Sequence, residues 1–210
     1  RIAFTSNRKG ERDIYVIPAD GSGQAELLIE SKDGQKNVED WSRDGKYLTY
    51  NHQPGSLRHL YVLPLAGLKP TPFLKSELRT VNSQFSPDGR WVSYSSTETG
   101  RSEIYVQGLD PDTLQPRGKW QVSTAGGDDA RWRSDGKAMF YYSGRSIMEV
   151  DVETKGASFS AGIPHTLFDV RVPAAGRNHF VVSPDGKRFL AVTLLDEDQN
   201  LPLEVLVNWR

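Results

Sequence analysis

The chain has 210 residues, 37% of them apolar and 25% charged, which excludes a disordered tail and leaves ample material for a buried core. Lys and Arg number 26 against 27 acids, a formal charge of −1, which excludes the broadly basic surface of non-specific nucleic-acid binding. Cysteine is absent, so disulfides, thiolate zinc sites and cysteine nucleophiles drop out together, and no window approaches the ~18 apolar residues of a spanning helix.

The first residue is Arg1, and Ile2 and Phe4 already alternate as a strand does after a turn. Aligned with later repeats, the turn aspartate of this unit would stand just before Arg1, so the expectation is a chain that enters a blade midway. Gly21-Ser-Gly23 lacks a third glycine and a following helix, and reads as a turn rather than a phosphate cradle. One pattern then recurs four times: Trp41-Ser-Arg-Asp-Gly-Lys46, Phe85-Ser-Pro-Asp-Gly-Arg90, Trp132-Arg-Ser-Asp-Gly-Lys137 and Val182-Ser-Pro-Asp-Gly-Lys187. The aspartates at 44, 88, 135 and 185 are spaced by 44, 47 and 50 residues.

Each core is a tight turn: proline presets the first central position, aspartate accepts from nearby backbone, and glycine takes the left-handed conformation. A bulky apolar residue precedes the turn, and alternation resumes after it at Leu48 and Tyr50, Val92 and Tyr94, Met139 and Tyr141, Phe189 and Ala191. Period two on both sides of a tight turn is a β-hairpin. A third strand follows at Ile14-Tyr-Val16, Leu60-Tyr-Val62, Ile104-Tyr-Val106 and Met148-Glu-Val150, then a weaker fourth run such as Trp120-Gln-Val122 or Thr166-Leu-Phe168. Four strands per 44 to 50 residues predict an all-β propeller of four-stranded antiparallel blades. The five sectors are 1–33, 36–78, 80–125, 128–172 and 177–209, with three, four, four, four and three strands, three sectors being complete. This count predicts a six-bladed ring lacking its N-terminal quarter, with a five-bladed ring as the rival.

The text SPDGRWVSYSS…SEIYV at 86–106 resembles the TolB-like propellers with PD-type WD-like repeats. The stretch from Arg131 to Val170 and the ending SPDGKRFLAV…LPLEVLVNWR are similar to the C-terminal propellers of acidobacterial-type receptor serine/threonine kinases. The resemblance covers essentially the whole chain. It implies a bacterial, extracytoplasmic or periplasmic sensor or protein-interaction module, the C-terminal part of a larger receptor-type signalling protein. A free periplasmic adaptor like TolB itself is the third possibility.

Chemistry-bearing motifs are scarce. No Gly-x-Ser-x-Gly elbow occurs, though the propeller of a prolyl-oligopeptidase-type serine hydrolase remains the alternative reading. The adjacent Asp-Gly of each turn is one residue short of a sialidase box. His52, His59, His165 and His179 have no paired ligand spacing, and His52 and His59, flanking a Gln-Pro-Gly loop, are expected to be solvated. The run Asp196-Glu-Asp-Gln-Asn200 lacks the glycine and terminal glutamate of a calcium loop and reads as an acidic hairpin tip. Trp41 and Trp132 are expected between blades, Trp91 on an exposed face. No catalytic residue, metal or cofactor is assigned.

Inner strands line a propeller's channel, and equivalent positions converge in space. Six residues before each turn aspartate stand Val38, Asn82, Asp129 and His179; one residue earlier stand Asn37, Val81, Asp128 and Asn178. Asn37, Asn82, Asp128, Asp129, Asn178 and His179 are therefore expected to form a polar ring at the channel mouth. Such a ring would hold a protein or peptide partner or a small polar ligand, or would simply face channel water.

Overall fold

The computed structural model describes residues 1–173 and 178–194, so the acidic run 196–200 and the closing stretch 201–210 of the C-terminal motif lie outside the described residues. No helix occurs among them. The first sheet holds β1 (Ile2–Lys9), β2 (Glu11–Ile17) and β3 (Glu26–Ile29). The second holds β4 (Gln35–Trp41), β5 (Tyr47–Gln53), β6 (Arg58–Pro64) and β7 (Thr71–Ser76). The third holds β8 (Thr80–Phe85), β9 (Trp91–Ser96), β10 (Glu103–Leu109) and β11 (Pro116–Gln121). The fourth holds β12 (Asp128–Trp132), β13 (Ala138–Ser143), β14 (Ser146–Lys155), β15 (Ser158–Ala161) and β16 (His165–Asp169). The last pairs β17 (Phe180–Val182) with β18 (Phe189–Ala191). Within each sheet, neighbours in sequence pair antiparallel, except that β16 returns to β14.

The fourth sector therefore has five strands where the sequence pattern predicts four. Ser146 to Glu149 of β14 pair with β16, while Val152 to Lys155 pair with β15. The 50-residue spacing that spans this blade accommodates the extra hairpin.

The turns form as their chemistry requires. Gly45, Gly89, Gly136 and Gly186 have φ of 75°, 71°, 72° and 73°, a region in which a Cβ costs about 1–2 kcal/mol. The aspartate Oδ1 accepts from the backbone N–H two residues on, at 3.0 Å for Lys46 and 3.1 Å for Arg90. The turn serine closes the loop from the other side, Ser42 Oγ accepting from Tyr47 N at 2.9 Å and Ser86 Oγ from Trp91 N at 3.0 Å. In the fourth blade Arg133 replaces that serine and donates from Nε to Asp135 at 2.9 Å.

Four apolar clusters fill the four junctions between successive blades. Leu48, Tyr50 and Leu63 meet Ile14 between the first two blades, and Leu60, Val62 and Phe73 meet Val92, Tyr94 and Tyr105 at the next. Ile104, Val106 and Trp91 meet Trp132, Met139 and Tyr141, and Phe140 and Ile147 meet Phe180. Burying each such side chain contributes about 1.5–3 kcal/mol.

A blade interior to the ring is covered on both faces, which corrects two expectations. Alternation puts Val92 and Tyr94 on one face of β9 and Trp91 on the other, but the fourth blade buries that second face and Trp91 is 2% exposed. His52 is also buried, its ring edge-on to Tyr61 and its Nε2 3.2 Å from Asp33. Burial, with the nearby Lys36 charge, holds its pKa below the usual range. His59 Nδ1 accepts from Ser76 N at 3.2 Å. Asp13 and Glu103, at the same place in their blades, accept from Ser31 N and Gly126 N.

Candidate functional site at the channel mouth

The mouth is built by irregularities in the inner strands. Val38 and Asp40 oppose Tyr50 and Thr49, Val81 and Gln84 oppose Ser95 and Ser93, and Asp128 and Arg131 oppose Tyr142 and Phe140. Each inner strand thus carries one residue more than its partner, a β-bulge that re-aims side chains. Asn82, Asp129 and Asn178 have φ of 56°, 54° and 57°, which Asn and Asp tolerate better than other residues with a Cβ. This shared conformation aligns Asn178, rather than His179, with Asn82 and Asp129. The fifth blade holds one extra residue before its turn, so its offset differs from that in the sequence alignment.

Five of the six ring residues come together in two groups. Asn82 Nδ2 donates to Asp128 Oδ1 at 2.7 Å, and Asp128 also accepts from Arg79 at 3.2 Å and from Asp129 N at 3.0 Å. Burial pushes the Asp128 carboxyl up, but the nearby Ser95 hydroxyl, the Arg79 charge and the Asn82 hydrogen bond outweigh it and hold its pKa below the usual range. Asp129, fully buried, accepts from Asn178 N at 3.3 Å, from His179 N at 3.1 Å and from the His179 ring Nδ1. Asn37 stands apart from these, accepting from Arg12 at 3.3 Å.

Most of this polar chemistry joins blade to blade. Thr5 Oγ1 accepts from Val38 N at 3.0 Å, Glu39 from Ser83 N at 3.1 Å and Asp40 from Phe85 N at 2.8 Å. Ser83 Oγ donates to Thr49 Oγ1 at 3.0 Å, and Asn51 Nδ2 to Thr80 O at 2.6 Å. At the turn end, Arg43 donates to Ser134 O at 3.2 Å and Ser134 Oγ to Pro184 O, drawing the second, fourth and fifth turns together.

Arg131, Glu39 and Asp40 are residues the sequence reading missed. Arg131 is 6% exposed and donates to Phe180 O at 3.1 Å, Ala130 O at 2.8 Å and Asn178 Oδ1 at 2.8 Å. Burial lowers its pKa, opposed by the charges of Asp129, Asp40, Glu39 and Asp128. Burial likewise pushes Asp40 up to about 6. A basic residue between Ala130 and Trp132, just after two aspartates, was the available signal; equivalent positions hold Asp40, Gln84 and Val181, so no repeat marked it. Among the described residues no group of three or more His, Asp or Glu side chains is arranged to hold a metal ion.

These features define a β-propeller built from antiparallel blades, sealed by apolar junctions and by polar joints along its channel. Its fold is TolB-like. TolB from Acinetobacter baumannii superposes with a TM-score of 0.72 at 17% identity, over 92% of this chain and 46% of that one. A periplasmic gluconolactonase of Pseudomonas aeruginosa superposes at 0.58 with 17% identity, over 91% and 59%. The solved neighbours thus include a TolB and an enzyme. In sequence, an uncharacterised protein of Agrobacterium fabrum is 26% identical over 189 residues, 87% of this chain and 62% of that protein. The Tol-Pal system protein TolB of Hydrogenovibrio crunogenus is 36% identical over 70 residues, 33% and 16%. The chain therefore spans less than two thirds of these relatives. No family model matches it.

Proposed function

We propose that the chain is a non-catalytic recognition module acting outside the cytoplasm. It engages a protein or peptide partner, or a small polar ligand, at the channel mouth, as the C-terminal part of a larger bacterial receptor-type protein. The observation that carries this reading is hydrogen-bonding capacity left over at the mouth. Asn37 Nδ2, Asn82 Oδ1 and His179 Nε2 are buried polar atoms without a protein partner. Buried polar groups are nearly always satisfied, so three orphans on ring residues fit a place where a ligand supplies the missing partners. Asn37 leaves a donor and Asn82 an acceptor, while His179 bonds Asp129 through Nδ1 and keeps Nε2 as its second ring nitrogen. The TolB-like fold agrees with an interaction role.

The test is photo-cross-linking in cells from a benzoylphenylalanine placed at Asn37 of the full-length protein. A discrete cross-linked polypeptide or ligand, lost with His179→Leu, supports the reading. Failure to cross-link, together with hydrolysis of glucono-δ-lactone that is lost in Asn82→Ala, overturns it in favour of an enzyme.

A further inference from the structure

A cleft of about 490 Å³ lies on the turn face between the third and fourth blades, well away from the channel mouth. Ser86, Pro87 and Asp88 border it on one side, and Asp151, Val152, Glu153 and Thr154 on the other. Its volume falls in the range of sites that bind side chains and small molecules. The wall is the distal half of β14, the part that pairs with β15 and has no counterpart in the other described blades. That hairpin is braced rather than loose: Phe159 on β15 packs against Trp91, Trp120 and Trp132 at ring distances of 5.6, 5.9 and 6.2 Å.

Two independent observations point to a ligand. The first is charge: four carboxylates, Asp88, Asp135, Asp151 and Glu153, border the cleft against Arg133 and Lys137. Arg133 is bound to Asp135 at 2.9 Å and Glu149 at 3.3 Å, and Asp88 to Arg90 at 2.7 Å, while Asp151 and Glu153 are exposed on the added wall. The second is the indole of Trp91, which lines the cleft, is 2% exposed and has an N–H without an acceptor. The neighbouring indole is satisfied, Trp132 donating to Ser93 Oγ at 3.1 Å. A buried donor left unpaired destabilises the fold unless something brings it an acceptor.

We propose that this cleft binds a basic side chain, lysine or arginine, of a partner polypeptide. The cation lies against Asp151 and Glu153, and a peptide carbonyl of the partner accepts from Trp91 Nε1. This extends the interaction reading to a second face, and does not depend on the channel mouth.

The experiment titrates the 210-residue chain with end-blocked tetra-arginine and tetra-lysine peptides, tetra-glutamate serving as the control. The readout is the indole N–H resonances of the five tryptophans, with Trp91→Phe assigning one of them. The expected result is a saturable shift of the Trp91 signal with the basic peptides only. The double variant Asp151→Asn/Glu153→Gln should weaken that binding roughly fivefold to tenfold, two exposed charge contacts being removed. Glu77→Gln, an exposed acid away from the cleft, should leave it unchanged, as should His179→Leu at the mouth. A shift that never saturates, or equal weakening by Glu77→Gln, overturns the proposal as diffuse attraction. Loss of binding in His179→Leu alone assigns the basic peptide to the mouth, overturning this site while sparing the function proposed there.

Discussion

The joint between the second and third blades and the joint between the fourth and fifth use the same part for the same purpose. In each, a carboxylate at an inner-strand bulge accepts backbone N–H groups from the next blade: Asp40 from Phe85, Asp129 from Asn178 and His179. They differ in how the buried charge is held. Asp129 shares its surroundings with the Arg131 guanidinium and bonds the His179 ring. Asp40 makes two backbone hydrogen bonds, and the Arg131 and Arg43 charges help, yet burial wins and its carboxyl rises to about 6. The comparison separates two properties that a shared position would seem to fix together. Geometry is set by the bulge, whereas electrostatic cost is set by which cations the neighbouring sequence supplies.

The largest break in this comparison is Asp129→Ala. It removes the acceptor for two backbone N–H groups and leaves Arg131 buried beside one carboxylate fewer. Each backbone N–H of the joint left without its acceptor costs about 1–3 kcal/mol, and the Arg131 charge loses one of its four neighbouring carboxylates. Urea unfolding should show that loss, and Asp129→Asn, which restores an acceptor but no charge, should recover only part of it. Equal stability of Asp129→Ala and the parent would remove the distinction between the joints.

How far this was readable from sequence depends on whether a feature repeats at a fixed offset. The hairpins were legible because Asp and Gly recur at the same place in four turns and apolar alternation flanks each. Asn82, Asp128 and Asp129 follow only from counting back from those turns, since Val38 and Val81 hold equivalent positions. Asp40, Glu39 and Arg131 were not legible, because a bulge inserts a residue and breaks the period-two phase on which inward or outward assignments rest. Asn178 and His179 were assigned one register off because the fifth blade has one more residue between its left-handed position and its turn. The sequence pattern puts Trp91 on an exposed face because alternation distinguishes two faces of a strand without saying that both are covered. The cleft wall left only a trace, a spacing of 50 residues where the others are 44 and 47.

The next effect has the opposite sign. The folded protein binds the Asp40 proton at about 6, above the ordinary 3.8. Between those values the folded state holds more protons than the unfolded one, so this group's contribution to stability falls as pH rises through the window and its full cost is present above 6. Asp40→Asn keeps an oxygen for Phe85 N and removes the buried charge. It should stabilise the protein by about 1–2 kcal/mol at pH 8, less than the pKa displacement alone would give because Arg131 loses a neighbouring charge. At pH 4 the gain should vanish, since Asp40 is then protonated. Melting curves at the two pH values check this, and a gain independent of pH would mean that the buried charge is not its cause.

The smallest effect sharpens the comparison from a third joint, where no charge is involved. Thr5 Oγ1 does for Val38 N what the carboxylates do further along the ring. Thr5→Val keeps the branched shape and β preference while deleting one neutral hydrogen bond, so the cost should be about 0.5–1.5 kcal/mol. No titrating group is removed, so the loss should be the same at pH 4 and pH 8. If Thr5→Val proved as costly as Asp129→Ala, the hydrogen bond rather than the charge would be the dominant element of every joint. If it proved small and flat with pH, the burden at the other two joints belongs to burying and compensating a carboxylate.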